Sequence, residues 1–230
     1  MTEIIKNESL YIADHGWLKS RFHFSFAEYY APDRMQFGPL RVVNDDIVKP
    51  QTGFPTHPHR DMEIISYVIN GQLTHEDTLG NRNTVGRGQV QYMSAGTGIA
   101  HSEFNFGTDD LRFLQIWIIP DRMGQKPRYG DFEFTWEDRI NNFLHLVSPS
   151  HGSAPVKIYQ DVNFYATLLN EKKTFNVSEA RQVYCVLIEG RANINGQQLF
   201  MRDAIKVKGM GLEITPEADS HFLIIEMPIS

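Results

Sequence analysis

Two pairs of potential metal ligands, each with i, i+2 spacing, most limit what this chain can fold into. His57 and His59 flank Pro58, and His101 and Glu103 repeat the spacing further along the chain. Successive side chains of a β-strand alternate between its faces, so each pair would lie on one face. A helix would separate the two members of a pair, and Pro58 disfavours a helix. Two strands that present these pairs to one point would create a site of three histidines and one carboxylate.

The residues around the two pairs predict strands and turns. Residues 62–69 are rich in β-branched and aromatic side chains, and Asn70-Gly71 after them predicts a hairpin. Residues 88–93 predict another strand, and the glycine-containing turn 94–98 leads from it to the second ligand pair. This succession is typical of an antiparallel barrel. Imidazole and carboxylate donors without thiolate suit a divalent transition metal, with Fe, Mn, Co, Ni, Cu and Zn all compatible.

The same residues resemble the two motifs of the cupin superfamily. The motifs read Gly53-x3-His57-x-His59-x3-Glu63-x7-Gly71 and Gly88-x5-Ser94-x-Gly96-x4-His101-x3-Asn105. Ser94 stands where proline is usual, and two extra residues precede His101. These departures resemble the pirin branch. The runs at 56–60 and 94–103 and the N-terminal segments around His15 and Leu40 resemble it as well. The resemblance covers roughly residues 13–230 and is more specific in the first half.

The resemblance implies a fold, a ligand set and an activity. The expected fold is all-β, a bicupin of two double-stranded β-helix (jelly-roll) barrels in tandem. The metal would be held by His57, His59, His101 and Glu103, with Fe(II) favoured over Zn, Mn, Co, Ni and Cu. Pirins are associated with quercetin 2,3-dioxygenase activity, in which O2 opens the central ring of a flavonol and CO is released. Glu103 would then also be the catalytic proton acceptor.

Glu63 is an alternative fourth ligand. It has the same strand parity as His57 and His59, and the glutamate of this motif is the ligand in many cupins. The resemblance to pirins favours Glu103 as the ligand. Glu63 would then be a group that orients the metal-bound histidines.

The chain divides into three predicted ranges: an N-terminal metal-binding barrel at 1–120, a Pro- and Gly-punctuated linker at 121–142, and a C-terminal barrel at 143–230. The second half repeats the first, because Cys185–Gly190 matches Ser66–Gly71 with an offset of 119 residues. That offset places Asn176, Ser178, Ser220 and Phe222 at the positions of His57, His59, His101 and Glu103. The C-terminal barrel is therefore expected to lack a metal.

Composition limits partners and location. The net charge is −6, with no Lys/Arg-rich run, which argues against direct nucleic-acid binding. Neither a signal peptide nor a membrane-spanning apolar stretch is apparent, so a cytoplasmic location without membrane contact is expected. Cys185 lies in an apolar strand and is expected to be buried. The six other histidines are assigned to surface or core positions: His15, His23, His75, His145, His151 and His221.

Three readings stand beside a flavonol dioxygenase that uses O2. The first is a metal-binding regulatory or redox-sensing protein with an unidentified protein partner. The second is a cupin enzyme of another type. The third is a closed structural metal site, for which zinc with four protein ligands is expected.

Overall fold

Strands form almost all of the regular structure in the computed structural model, which describes residues 2–229. In chain order the strands are β1 (Thr2–Ile5), β2 (Tyr11–Asp14), β3 (Leu18–Phe22), β4 (Leu40–Val48), β5 (Thr52–His59), β6 (Glu63–Asn70), β7 (Leu73–Asp77), β8 (Arg82–Val85), β9 (Val90–Ser94), β10 (Ile99–Asn105), β11 (Leu111–Ile118), β12 (Arg128–Phe132), β13 (Leu144–Pro149), β14 (Val156–Ile158), β15 (Asn163–Leu169), β16 (Lys173–Phe175), β17 (Arg181–Glu189), β18 (Arg191–Ile194), β19 (Gln197–Phe200), β20 (Ala204–Lys208), β21 (Leu212–Pro216) and β22 (Ser220–Pro228). Short 3₁₀ helices lie at Asn7–Ser9 and Trp136–Arg139. Among residues 2–229, no helix has the length and apolar character needed to cross a membrane.

The chain forms two compact units, each a jelly roll of one seven-stranded and one four-stranded sheet. The N-terminal unit comprises Tyr11–Phe134 and Ile158–Gln160, and its sheets have the orders β12-β9-β6-β11-β4-β3-β2 and β5-β10-β7-β8. The C-terminal unit comprises 2–10, Thr135–Lys157 and 161–229, with the orders β1-β20-β17-β22-β15-β13-β14 and β16-β21-β18-β19. The predicted all-β fold of two barrels is confirmed.

The boundaries of these units differ from the predicted ranges 1–120, 121–142 and 143–230. β1, at the N-terminal end of the chain, pairs with β20 and so belongs to the C-terminal unit. β12 lies inside the predicted linker and pairs with β9 of the N-terminal unit. Both strands cover an edge that would otherwise expose unpaired backbone groups. The Pro and Gly residues that punctuate 121–142 concealed a strand of only five residues.

The hairpin predicted at Asn70-Gly71 is wrong. β6 and β7 do not pair with each other, because β6 lies in the seven-stranded sheet and β7 in the four-stranded one. Gly71 has a φ of +78°, and a Cβ there would lie 2.9 Å from the Cα of Leu111. Glycine is therefore required at this corner, where the chain passes from one sheet to the other.

The internal repeat is present, but its offset is not constant. Gly71 and Gly190 keep the offset of 119, whereas Leu111 and Ser220, the first residues of β11 and β22, are only 109 apart. The second unit has shorter turns; the four residues between β7 and β8 are replaced by Asn195-Gly196 between β18 and β19. In sheet order β10 corresponds to β21 and β11 to β22.

The predicted counterparts of the metal ligands are therefore partly misplaced. Ser220 and Phe222 lie on β22, so they are not equivalent to His101 and Glu103, whose counterparts fall on β21. Asn176 and Ser178 follow the end of β16. The prediction of an apolar interior agrees with the structure, since fourteen buried side chains from both sheets pack together there, including Phe222 and Cys185. The predicted burial of Cys185 is confirmed.

Truncation of Phe222 tests how far this core stabilises the protein. Its side chain is fully buried, so we expect Phe222→Ala to lower the free energy of unfolding by about 3–5 kcal/mol, through lost apolar burial and a cavity. Urea unfolding measures the effect. Phe200→Ala is the matched control, because Phe200 is 49% exposed. A loss below about 1 kcal/mol for Phe222→Ala would show that the neighbouring side chains collapse into the space.

Candidate metal centre

Two paired strands bring three histidines together in the N-terminal unit. β5 and β10 are antiparallel neighbours, with His101 directly opposite His57 and Ile99 opposite His59. The ring centroids are 4.8 Å apart for His57 and His59, 4.6 Å for His57 and His101, and 4.9 Å for His59 and His101. Gly53 permits the close approach of the strands, since a Cβ there would overlap the Glu103 carbonyl. We call these three residues the histidine cluster.

The ring nitrogens of the histidine cluster suit a metal. One nitrogen from each ring lies within 4.8 Å of the other two. His57 Nδ1 is 2.8 Å from the Pro55 carbonyl oxygen, so Nδ1 donates and Nε2 keeps its lone pair. His101 Nε2 is buried and has no hydrogen-bond partner in the described structure. A buried nitrogen without a partner is costly, and a bound cation would supply the missing partner.

The electrostatic environment keeps two rings of the cluster, those of His59 and His101, neutral. Burial, together with the neighbouring His101 and His57 rings, lowers the pKa of His59 from 6.5 to about 4. Burial, together with His57 and His75, lowers the pKa of His101 to about 3. Both imidazoles are therefore unprotonated at neutral pH, which is the form that binds metals.

These shifted pKa values predict how the stability of the metal-free protein depends on pH. The folded-state pKa values of His59 and His101 lie below 6.5. The unfolded chain therefore takes up more protons than the folded protein as the pH falls from about 6.5 towards 4. We expect the two histidines to lower the melting temperature as the pH falls through this window, while Asp46, whose pKa is raised to about 7, acts in the opposite direction. His59→Gln/His101→Gln, which cannot titrate at these positions, should show a shallower fall. His151→Gln, a surface control, should keep the wild-type slope, and an unchanged slope in the double variant would contradict the prediction.

Glu103 lies on the same strand as His101 but is offset from the cluster by a β-bulge. The β5–β10 register shifts between His101 and Glu103, so that Glu103 pairs with Phe54. The extra residue lies in β5, where Pro55 has no N–H to donate to the ladder. Glu103 forms a second group with His75 and His101, whose ligand atoms also lie within 4.8 Å of one another. It lines the same cavity as His57 and His59.

Three neutral side chains hold the Glu103 carboxylate. Gln91 Nε2 and Ser66 Oγ donate to Oε1, and Gln115 Nε2 donates to Oε2 at 2.7 Å. Glu103 is 2% exposed. An ionised carboxylate only accepts hydrogen bonds, so this set of donors matches it. Gln91, Gln115 and Ser66 were not identified from the sequence, where isolated polar residues in apolar strands carried no specific signal.

Glu63 lies away from both groups. β5 ends at His59, and Glu63 begins β6, which lies in the other sheet. Its Oε1 accepts a hydrogen bond from Ser94 Oγ, and burial raises its pKa. Because Glu63 lies on a different strand from His57, side-chain alternation counted from His57 does not apply to it. Glu63 also does not line the cavity.

A cavity of about 170 Å³ adjoins the cluster and is walled by aromatic and polar side chains. The aromatic wall consists of Phe22, Phe26, Phe54 and Trp117. Trp117 meets the ring of His59 edge-on at 4.9 Å, and its indole Nε1 is buried without a partner in the described structure. The cavity wall therefore combines flat apolar rings with polar side chains.

Asp46 is a further carboxyl group in the cavity wall, besides Glu103 and Glu28. It is buried, and Ser20 Oγ donates to its Oδ1 at 2.5 Å. Burial raises the pKa of Asp46 to about 7, with a contribution from the negative charges of Asp45 and Glu103. Near neutral pH this carboxyl group can therefore donate or accept a hydrogen bond.

Most of the other histidines occupy surface or core positions, as predicted. His23 and His221 are buried, and His151 is exposed. His145 is half-buried and stacks on Tyr165. His15 is half-exposed but lines the cavity. His75 is fully buried, which agrees with a core position, but it also adjoins His101, which was not predicted. The i, i+2 pair of His75 and Asp77 on a strand was the available signal.

Known proteins resemble this chain along nearly its whole length. The family model described as Pirin matches residues 5–118, and that described as Quercetinase C-terminal cupin domain matches residues 145–227. A pirin-like protein of Caulobacter vibrioides is 42% identical over 93% of this chain and 94% of its own. A quercetin 2,3-dioxygenase of Escherichia coli K12 is 39% identical over 94% of each chain.

A solved structure agrees with the sequence comparisons. The bacterial pirin YhhW of Escherichia coli, in complex with nickel(II), superposes with a TM-score of 0.94 at 36% identity and covers the full length of both chains. The expected relationship is confirmed by sequence and by fold. This chain belongs to the pirin family of the cupin superfamily.

Proposed function

We propose that this protein is a metal-dependent dioxygenase that cleaves flavonols such as quercetin with O2 and releases CO. The observation that carries the proposal is the position of the histidine cluster beside a cavity. His57, His59 and Glu103 line that cavity together with the aromatic wall. A structural zinc site is closed by four protein ligands and needs no adjoining cavity. The name of the Escherichia coli relative supports the same activity.

The histidine cluster would hold one divalent transition metal, with Glu103 as the fourth ligand. The nickel(II) complex of the Escherichia coli pirin supports a divalent ion, and Fe(II) is the ion we favour for the reaction. When bound, the ion would polarise the oxygens of the flavonol and supply redox chemistry towards O2. Nε2 of His101, which is unpartnered, and Nε2 of His57, which has a lone pair, would bind the ion.

Glu103 is proposed as the proton acceptor for the 3-hydroxyl group of the flavonol. Glu103 lines the cavity, and Gln91, Gln115 and Ser66 fix the direction of its carboxylate. A general base must lie within hydrogen-bond reach of the proton that it removes, and a held carboxylate loses little entropy when it does so. Removal of this proton makes the central ring more electron-rich and prepares it for attack by O2.

The cavity walls would position the flavonol and exclude water. Flat aromatic side chains suit the planar rings of a flavonol, and Trp117 is braced edge-on by Phe26 at 5.3 Å. Asp46 lies deep in the wall and can exchange hydrogen bonds with a hydroxyl or carbonyl oxygen of the substrate. These groups orient the ring so that its 3-hydroxyl faces Glu103.

Coupled gas measurements test the proposal. Protein loaded anaerobically with Fe(II), Ni(II), Mn(II), Co(II) or Cu(II) is mixed with quercetin, and O2 uptake and CO release are followed together. We expect equal amounts of O2 consumed and CO formed with at least one ion. His101→Ala treated with the same metal should be inactive. Absence of O2 uptake with every flavonol and every redox-active ion would instead favour a regulatory metal-binding protein.

A further inference from the structure

The structure contains a buried chain of hydrogen bonds behind the histidine cluster. His75 and Asp77 lie on β7, the neighbour of β10 on the side away from β5. In the register, Asp77 is opposite His101 and His75 is opposite Glu103. His75 Nε2 lies 3.0 Å from Asp77 Oδ2, and His75 Nδ1 lies 3.3 Å from His101 Nδ1. The side chains of His75 and Asp77 are both fully buried.

We propose that His75 is a positioning residue that, together with Asp77, fixes the tautomer and orientation of His101 so that its Nε2 faces the metal. The inference rests on the proposed metal site but does not depend on the substrate or on turnover. It assigns a role to two residues that do not line the cavity.

The partners of Asp77 determine which ring nitrogens carry protons in this chain of hydrogen bonds. Asp77 accepts hydrogen bonds from the backbone N–H groups of Leu79 and Asn81 and from the Asn81 side chain, which is the environment of an ionised carboxylate. The carboxylate can only accept, so His75 Nε2 carries the proton between them. With this proton on Nε2, the neutral form of the His75 ring has its lone pair on Nδ1.

The proton on His101 follows in turn. Two lone pairs cannot face each other at 3.3 Å, so His101 Nδ1 must carry a proton and donate it to His75 Nδ1. Its Nε2 is then the nitrogen with the lone pair, and this is the atom that is buried without a partner. His57 is prepared in the same way by a different partner, because its Nδ1 donates to the Pro55 carbonyl. Both rings therefore present Nε2 to the cluster.

The plane of the His75 ring is fixed from a third strand. Tyr129 of β12 stacks on His75 with a centroid distance of 4.0 Å and an interplanar angle of 13°. A stacked ring cannot rotate about its Cβ–Cγ bond without losing this contact. Hydrogen-bond partners of metal-bound histidines generally set the ring direction and the basicity of the ligand, and their loss typically costs about 10- to 100-fold in metal affinity.

The tautomer can be read directly in the metal-free protein. Long-range ¹H–¹⁵N correlation spectra of protein labelled at histidine, at pH 7, distinguish protonated from unprotonated ring nitrogens, and His101→Asn assigns the signals of His101. We expect a protonated Nδ1 and an unprotonated Nε2 for His101. A protonated Nε2 in the wild-type protein would overturn the proposal.

Two substitutions at residue 75 separate positioning from packing. The side-chain oxygen of His75→Asn takes the place of Nδ1 and can still accept from His101, whereas His75→Leu cannot. With Ni²⁺ as the probe and a competing chelator, we expect about 10- to 100-fold weaker binding for His75→Leu. We expect affinity within a few-fold of wild type for His75→Asn. The matched control is His145→Leu, since His145 is a half-buried histidine hydrogen-bonded through both ring nitrogens in the C-terminal unit.

The outcomes distinguish this proposal from its competitors. Wild-type affinity in His75→Leu overturns it. Binding of two Ni²⁺ ions by the wild type and one by His75→Asn also overturns it, because His75, His101 and Glu103 would then be a second metal site. If His75→Leu does not fold, the spectra and His75→Asn still decide. If Ni²⁺ binds and His101 has the expected tautomer but no O2 is taken up, only the proposed dioxygenase activity is contradicted.

Discussion

Replacing His57, His59 or His101 by alanine should in each case abolish stoichiometric metal binding. The three rings converge from β5 and β10, and removal of one leaves two nitrogens that no longer surround a common point. His101→Ala should have the largest effect, because it also removes the partner of His75. Metal analysis after loading and extensive dialysis, on protein without a histidine tag, measures the loss.

Surface and C-terminal histidines provide the controls for that experiment. His151→Ala and His145→Ala should keep one ion per chain, as the wild type is expected to. Full metal retention by two of the three cluster variants would show that the site lies elsewhere. A second ion lost with His145 or His221 would show that the C-terminal unit also binds metal, against the apolar interior described above.

The meeting of the three histidines could be predicted from the sequence because strand parity is a local property. His57-Pro58-His59 specifies one face of a strand without knowledge of the rest of the chain. That β5 and β10 meet was inferred from the predicted antiparallel barrel and from the cupin resemblance, since parity alone does not identify which strands are neighbours. His75 and Asp77 have the same i, i+2 spacing on β7, but their role depends on β7 lying beside β10. Their contribution could therefore not be read from the sequence.

The position of Glu103 shows where parity reasoning stops. A bulge in β5 shifts the register between His101 and Glu103, and a single extra residue changes which side chains meet. The same limit explains the C-terminal unit, where shortened turns changed the offset and moved Ser220 and Phe222 onto β22. Side-chain alternation is robust within one strand. Turn lengths and bulges, which small insertions set, must be observed.

A change at Glu103 should test the chemistry more sharply than any change at the histidines. Glutamine keeps the size of the side chain but removes its charge and basicity. It also places an amide group against the amide nitrogens of Gln91 and Gln115, so one hydrogen bond must be lost or one neighbouring amide must turn. The substitution therefore affects proton removal and the local network, and metal loading has to be measured alongside turnover.

At full metal loading, Glu103→Gln should reduce the rate of quercetin-dependent O2 uptake by about a hundredfold or more, because the proton acceptor is lost. The matched control is Glu63→Gln, a buried glutamate of the same unit that hydrogen-bonds to Ser94 and does not line the cavity. It should keep most of the activity. Comparable rates for Glu103→Gln and the wild type would rule out Glu103 as the base, and loss of activity only in Glu63→Gln would make Glu63 the functional carboxylate.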